Sequence, residues 1–483
     1  MNCSKCGSQN QNGTKYCIFC GTPLQEDATR TVAPRWKVGK LTIIVPIVAV
    51  VIIGAVIAGV IIARSGSKGK SGETQWSCFG GNSSRSNFLA APGMTYDRMA
   101  WKAEMSGRTR CSAVASGGNV YVCAGDHLKC FDAKSGKGRW DFSDENSVGS
   151  YGNFDETTPV LANGSVYVTG GHNDSLYRVD TGSGKMIWET NKGRVYAADG
   201  ASPIFSDGRI FLDSEERELL CIDAGSGKQL WRFKPSEDEE IVHGSNTTVA
   251  TSESVYQIAR RGDSFEGYGK LYCINAKSGK ASWNYEDPNH GFISLSSMGN
   301  KIFILTGEKG GAYGSSLICI DASTGKRLWQ YPEVQPSGKG SEFVTTACDE
   351  QNLYILSVEY PRKTDEESGD YVYSLEGAKY RVECLSTTTG SQLWKTDLEA
   401  NTSYKFIVVD NSNLYISGVL EDTEKVICLG RSGGSKTWET KVDQYYDADY
   451  QQSGLARCGG QLFLTTELYV GDFHDLRLYC IGK

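Results

Sequence analysis

One unit recurs seven times in this chain, and it constrains the fold more than any other feature. It reads Leu128-Lys-Cys-Phe-Asp-Ala-Lys-Ser-Gly-Lys-Gly-Arg-Trp140: an apolar strand, an Asp or a substitute, a short turn containing Gly, then a strand with Trp. It returns as Leu176–Trp188, Leu219–Trp231, Leu271–Trp283, Leu317–Trp329, Val382–Trp394 and Val426–Trp438. Successive Trp residues stand 48, 43, 52, 46, 65 and 44 positions apart. That period belongs to propeller blades, each a small sheet that buries its faces only against its neighbours.

The chemistry of the unit is local. Asp132, Asp180, Asp223, Asn275 and Asp321 start a turn, where a short side chain bonds nearby backbone. Gly136, Gly184, Gly227, Gly279, Gly325 and Gly390 supply its left-handed residue. The Trp that follows is a large amphipathic group on an outer strand, and its expected place is the seam between blades. A second signal recurs eight times, a tight turn followed by an apolar and aromatic strand. It begins with Asn119-Val-Tyr-Val122 and ends with Gln461-Leu-Phe-Leu464. Turns such as Asn163-Gly164 and Asp207-Gly208 precede most copies. This alternation is the period-2 signature of a strand.

Eight such strands but only seven complete Trp units leave one blade short. The chain ends at Leu478-Tyr-Cys-Ile-Gly-Lys483, a third strand with no fourth. Met99-Ala-Trp101-Lys-Ala-Glu-Met105 is an orphan strand with a Trp at the other end. The expectation is that it completes the last blade, which closes the ring and removes exposed sheet edges. The fold class is therefore all-β, an eight-bladed propeller over residues 75–483. Trp101, Trp140, Trp188, Trp231, Trp283, Trp329, Trp394 and Trp438 are expected at its seams.

The first 74 residues are of another kind. Cys3-Ser-Lys-Cys6-Gly7 and Cys17-Ile-Phe-Cys20-Gly21 are two CxxCG knuckles. Cys3, Cys6, Cys17 and Cys20 make a four-thiolate set for a structural Zn²⁺, whose binding would supply the folding energy of residues 1–24. Residues 25–40 read as a polar linker. Leu41 to Ala63 carries no charge and is bracketed by Lys40 and Arg64. About 20 apolar residues span a bilayer as a helix, so residues 41–63 are expected to cross one. Ala55 and Gly59 form a small-xxx-small pair that allows helix-mediated self-association. Residues 64–74 are a Ser/Gly/Lys tether. Thiolate ligands need a reducing compartment, which places the N-terminus in the cytosol and the propeller outside a cell membrane.

Charge narrows the partners. The chain carries −7, but residues 1–70 hold nine Lys/Arg against Glu26 and Asp27, leaving the rest strongly acidic. An acidic globular part argues against nucleic acid as partner. The five His follow no repeating spacing, and G-x-S-x-G, H-E-x-x-H and P-loop motifs are absent.

The Asp-x-x-[Ser/Thr]-Gly-Lys-x-x-Trp unit resembles the tryptophan-docking repeat of pyrroloquinoline-quinone-type propellers. The opening Gln75-Trp76-Ser-Cys-Phe79-Gly80-Gly81-Asn82-Ser-Ser-Arg85 is similar to the start common in that superfamily. Likewise Gly13–Leu24 resembles the second knuckle of a small zinc-ribbon family found at the N-termini of prokaryotic membrane proteins. The propeller resemblance covers about 400 residues. It implies Trp packing between blades and points to the non-enzymatic propeller of the outer-membrane β-barrel assembly machinery. It also points to quinone-dependent dehydrogenases, whose alcohol-oxidising pattern has a vicinal Cys-Cys pair and a Ca²⁺ ligand set. No Cys-Cys dipeptide occurs here and no Ca²⁺ set can be matched, so bound pyrroloquinoline quinone is not expected.

Seven of the twelve propeller cysteines share one repeat position: Cys130, Cys221, Cys273, Cys319, Cys384, Cys428 and Cys480, with Arg178 in the second repeat. They read as small buried hydrophobes. Whether Cys78, Cys111, Cys123, Cys348 and Cys458 pair is left open. If the strands of a blade are lettered A to D outwards, the A–B and C–D turns are short. The long segments are B–C loops (260–270, 306–316, 359–379, 466–477) or D–A loops (286–291, 332–341, 441–451), all on one face. Tyr371, Tyr373, Tyr445, Tyr446 and Tyr450 lie there among acids, a composition suited to recognising protein or glycan. The functional expectation is a membrane-anchored binding scaffold of the cell envelope and not an enzyme. The alternatives are a quinone-dependent oxidoreductase and a ligand sensor signalling to the zinc ribbon.

Overall fold

The computed structural model describes Gln75 to Gly482, apart from residues 95–97, 145–153, 155–156, 171–174, 191–201, 245, 263–266, 309–313, 333–339, 365–370, 374–376, 401, 421–422, 445–448 and 471–472. Gly69–Lys483 is one compact unit. The cysteine knuckles, the span 41–63 and the tether lie outside the described residues. Among the described residues no helix is long and apolar enough to cross a membrane, and no group of His, Cys, Asp and Glu is placed to hold a metal ion.

Eight antiparallel blades make up the ring, the fifth and sixth joined into one sheet where Gly314 pairs with Phe343. The first is typical: Val114–Ser116, Asn119–Ala124, His127–Asp132 and Gly138–Ser143 pair in chain order. The eighth is assembled from both ends of the chain. Met99–Ser106 pairs antiparallel with Phe473–Gly482, from Met99 opposite Ile481 to Ser106 opposite Asp475. The expected closure is therefore present.

The C–D turns of the first five blades follow the local chemistry read from the sequence. Asp132 Oδ1 accepts from the Ser135 N–H at 2.8 Å, and Gly136 N donates to Asp132 O at 2.8 Å. The same bonds recur at Asp180, Asp223, Asn275 and Asp321. In the A–B turns Asn163 and Gly164 both take positive φ (50° and 72°), the pairing that matches strand twist in a two-residue hairpin.

The Trp residues sit at the seams. Each pairs across its own blade with the shared Cys position (Cys130 opposite Trp140, Cys480 opposite Trp101) and packs on the aromatic of the second strand. Ring centroids are 5.6 Å apart for Tyr121–Trp140 and 6.0 Å for Trp101–Phe463. The indole then covers the C–D turn of the next blade. Trp140 Nε1 donates to Thr181 O at 2.9 Å, and a Cβ on Gly184 would lie 2.7 Å from the Trp140 ring. Glycine is needed there twice, for its φ of 69° and for the approach of the indole. Trp101, Trp188, Trp231 and Trp329 donate likewise to Ala133, Gly225, Ala276 and Thr387 carbonyls. Trp283 and Trp394 lie against Gly325 and Gly434. Trp438 differs: its Nε1 is buried and has no hydrogen-bond partner among the described residues. In the eighth blade Gly482 N donates to Arg98 O, and Lys483, at the position equivalent to Ala133, lies outside the described residues.

No disulfide joins the twelve propeller cysteines, and all but Cys458 are buried, which answers the open question of pairing. Burial pushes the thiols of Cys130, Cys221, Cys319, Cys348, Cys384, Cys428 and Cys480 up to about 12. A thiol is a poor nucleophile when its thiolate is this disfavoured. Under native conditions, iodoacetamide labelling followed by peptide mapping is therefore expected to modify Cys458 first. The shared-position cysteines should label only after denaturation.

One expectation needs correction. Most of the segments read as long loops are continuations of strands. Strands Ser254–Arg261, Lys301–Glu308 and Gln461–Val470 run well into them, as do Tyr268–Asn275, Gly314–Asp321 and Phe473–Gly482 on the return. Segment 286–291 leaves only Pro288 and Asn289 between Ala281–Asp287 and His290–Met298. Segment 359–379 holds an extra hairpin, Arg362–Thr364 paired with Tyr371–Tyr373. The reason is that alternation of aromatic and polar residues persists through these segments, and paired backbone satisfies its own polar groups. These hairpins belong to the fourth to eighth blades. Inner strands of the last four blades span 8–10 residues, against 3 in the first blades.

Candidate functional site

The centre of the ring is occupied by the chain's own opening segment. Residues 75–94 form a strap across the inner strands. Trp76 exchanges both backbone hydrogen bonds with Ala115, and Ser77 O accepts from Leu161 N. The carbonyls of Ser83, Ser84, Ser86 and Asn87 then accept from Ala250, Ser297, Cys348 and Val409. Arg85 reaches the remaining sector, donating to Thr248 O at 2.7 Å and Ser202 O at 3.1 Å. At the far end Arg457 Nη2 donates to Pro92 O at 2.9 Å. The strap thus satisfies inner-strand backbone groups that would otherwise face the channel unpaired.

Those backbone partners lie near the A–B ends of the inner strands, so the strap closes the short-turn mouth. Behind it remains a cavity of about 90 Å³. Its wall includes Phe79, Gly80 and Asn87 of the strap and Ser112, Asn246, Thr345, Lys405 and Phe406 of the inner strands. These inner-strand residues stand further back towards the strand starts, on the side of the long hairpins.

A repeated irregularity shapes that wall. The inner strands of the last four blades each slip register by one residue, between Phe292 and Ser294, Phe343 and Thr345, Tyr404 and Phe406, and Gln452 and Gly454. A β-bulge turns the extra residue out of the ladder and re-aims its side chain. In the seventh blade that residue is Lys405, half-buried and on the cavity wall. Burial lowers its pKa below the ordinary lysine value, partly offset by the Glu424 carboxylate. Glu424 is itself fully buried and accepts from Thr466 Oγ1 at 2.9 and 2.8 Å.

A second buried charge stands beside the strap. Burial raises the Asp213 carboxyl to about 7, against the pull of Thr247 and Arg85. Unfolded Asp loses its proton near pH 4, whereas folded Asp213 keeps it to about 7. Unfolding therefore releases this proton between those values, and stability falls as pH rises through that window. In Asp213→Asn this contribution should be absent. Denaturant melts at pH 5 and pH 8 are expected to show a smaller difference in the variant than in the parent.

Residues 69–198, 124–264, 220–359 and 378–467 match the family model described as outer membrane protein assembly factor BamB. The chain belongs to that family. The BamB of Nitrosomonas eutropha is 26% identical over 265 residues, which cover 54% of this chain and 55% of that relative. The chain thus spans about half the length of this curated relative. The crystal structure of BamB from Moraxella catarrhalis superposes with a TM-score of 0.52 at 11% identity, covering 79% of this chain and 99% of that one. Quinohemoprotein alcohol dehydrogenase from Comamonas testosteroni superposes at 0.57 and 12% identity, covering 85% and 81%. At such identities these likenesses show the fold alone.

Within this BamB-family propeller the expected binding residues are only partly placed. Tyr371 and Tyr373 are on the extra hairpin of the sixth blade, and Tyr450 is on the inner strand Asp449–Cys458. Tyr445 and Tyr446 lie outside the described residues. Sequence reasoning missed the strap as a channel plug and Lys405 as an axial group. The opening motif with its buried Trp76 and Arg85 was visible, but its partners are scattered through six blades.

Proposed function

We propose that this chain is a membrane-anchored propeller of the cell envelope that binds protein partners on its long-hairpin face and catalyses no reaction. Family membership carries this reading, because the matching model is described as an assembly factor. The one-sided set of extended hairpins supports it. They make a raised wall on the face away from the strap, and raised loops on a rigid scaffold are common recognition surfaces. In this reading residues 41–63 hold the propeller outside the membrane. Cys3, Cys6, Cys17 and Cys20 bind a structural Zn²⁺ in the cytosol, where the ribbon offers a contact of its own.

The test is site-specific photo-crosslinking in membranes. Probes at Tyr371, Tyr373 and Tyr450 are expected to give discrete protein adducts, whereas probes at Ser135 and Ser183 on the short-turn face give none. Equal adducts from both faces would sink the assignment.

Similarity to a quinohemoprotein fold favours a second reading, a quinone-dependent oxidoreductase. The axial cavity, about 90 Å³ among the described residues, is smaller than the roughly 300 Å³ or more of pockets that take a drug-sized ligand. Dye reduction with alcohols or sugars, after incubation with pyrroloquinoline quinone and Ca²⁺, would establish the second reading instead. A third, ligand sensing across the membrane, predicts that removing residues 1–25 abolishes the cellular response.

A further inference from the structure

We propose that the axial cavity is a binding site for a small oxyanion, a phosphate or a carboxylate, held by Lys405. This goes beyond the partner-binding reading and does not depend on it.

Lys405 is the extra residue of a bulge in an inner strand, so its side chain is set apart from the ladder and reaches the cavity wall. No hydrogen bond or ion pair joins its ammonium to any other described residue, and its half-buried state denies it full hydration. A cation held out of water without a partner is costly unless something pairs with it. The carboxylate nearest in effect is Glu424, which is fully buried and engaged by Thr466. Two buried lysines on third strands behave otherwise. Lys270 meets Glu239 at 2.6 Å and Glu286 at 2.7 Å, and Lys425 meets Glu399 and Glu439. The lysine at the axis is thus left with its charge facing a void.

The void suits a small anion. Asn246 and Thr345 bring an amide and a hydroxyl to the lining that Lys405 shares. Phe79 and Phe406 supply apolar walls that strengthen a charged contact by excluding water. The strap closes the short-turn side, leaving entry from the long-hairpin face.

The experiment uses the full chain in detergent, at constant ionic strength set with chloride. Inorganic phosphate and succinate are titrated by calorimetry against the parent and Lys405→Met. Loss of one charged contact should weaken binding about tenfold or more. Because Lys405 makes no hydrogen bond or ion pair with another described residue, the variant is expected to keep its fold, and its thermal transition checks this. A second readout needs no variant: acetylation of Lys405, followed by peptide mapping, should be slowed by the bound anion while exposed Lys134 and Lys277 are unaffected. Tighter phosphate than succinate identifies a phosphate site, and the reverse a carboxylate site; both support the proposal. Equal affinity in parent and variant, no binding by the parent, or acetylation unchanged by either anion would overturn it.

Discussion

A chain shortened to begin at Gly107 is expected to fail as a monomer and to associate or aggregate. The missing segment carries both the strap and the closing strand. It buries Trp76, Leu89, Met94 and Met105, and its Trp101 covers the first-blade turn through Ala133 O at 2.9 Å. At about 1.5–3 kcal/mol for each large apolar side chain, five of them come to roughly 10 kcal/mol, the size of a whole domain's stability. The loss is also topological. Phe473–Gly482 would become an open edge flanked by Leu476, Leu478 and Ile481, which are now fully buried. Long apolar edges pair with other chains. Size-exclusion chromatography and thermal melts are the checks, and a synthetic peptide of residues 75–106 is expected to restore a monomer with a cooperative transition. A shortened chain that stays monomeric with an unchanged melting temperature would show that the ring does not need its two ends to meet.

Replacing Arg457 with Met is expected to cost about 3–5 kcal/mol, because it leaves one partner of a buried ion pair alone. Arg457 and Asp410 are 1% and 0% exposed, with Nη2 3.4 Å from Oδ2. The guanidinium also binds the carbonyls of Gly459, Gln461 and Pro92, so it latches the strap to the eighth blade. Asp410 keeps Tyr415 Oη at 2.7 Å and two backbone N–H groups, and Arg431 reaches its backbone carbonyl at 3.5 Å, but among the described residues no other cation pairs with its carboxylate. Denaturant unfolding measures the loss. Adding Asp410→Asn should recover part of it, since the uncompensated charge is then gone. If Arg457→Met alone shifts stability by less than about 1 kcal/mol, the latch has been misread.

How far the sequence carried this account depends on how local each feature is. The seams were legible because one short stretch holds everything they need: an Asp or Asn to start the turn, a Gly with positive φ, and a Trp on the next strand. Closure of the ring was legible for a different reason. Leu478–Lys483 lacked a fourth strand, and Trp101 lacked a third, so two deficits pointed to each other. The strap was opaque, although its residues were conspicuous. Arg85 finds its acceptors at Ser202 and Thr248, and nothing near it in sequence announces either. Lys405 was opaque too. Tyr404-Lys405-Phe406 reads as ordinary strand alternation, and the bulge exists only in relation to Gly418 and Ser417 on the partner strand. The long segments were misread as loops because turn-rich composition hid a continuing alternation.

The most direct test of a closed ring with its own strap at the centre is amide hydrogen exchange of the full chain, read by mass spectrometry over 75–94, 99–106 and 473–482. All three segments are expected to exchange slowly and together, because their N–H groups are bonded into one cooperative structure. Rapid exchange of 75–94 and 99–106 beside a protected 473–482 would contradict the account.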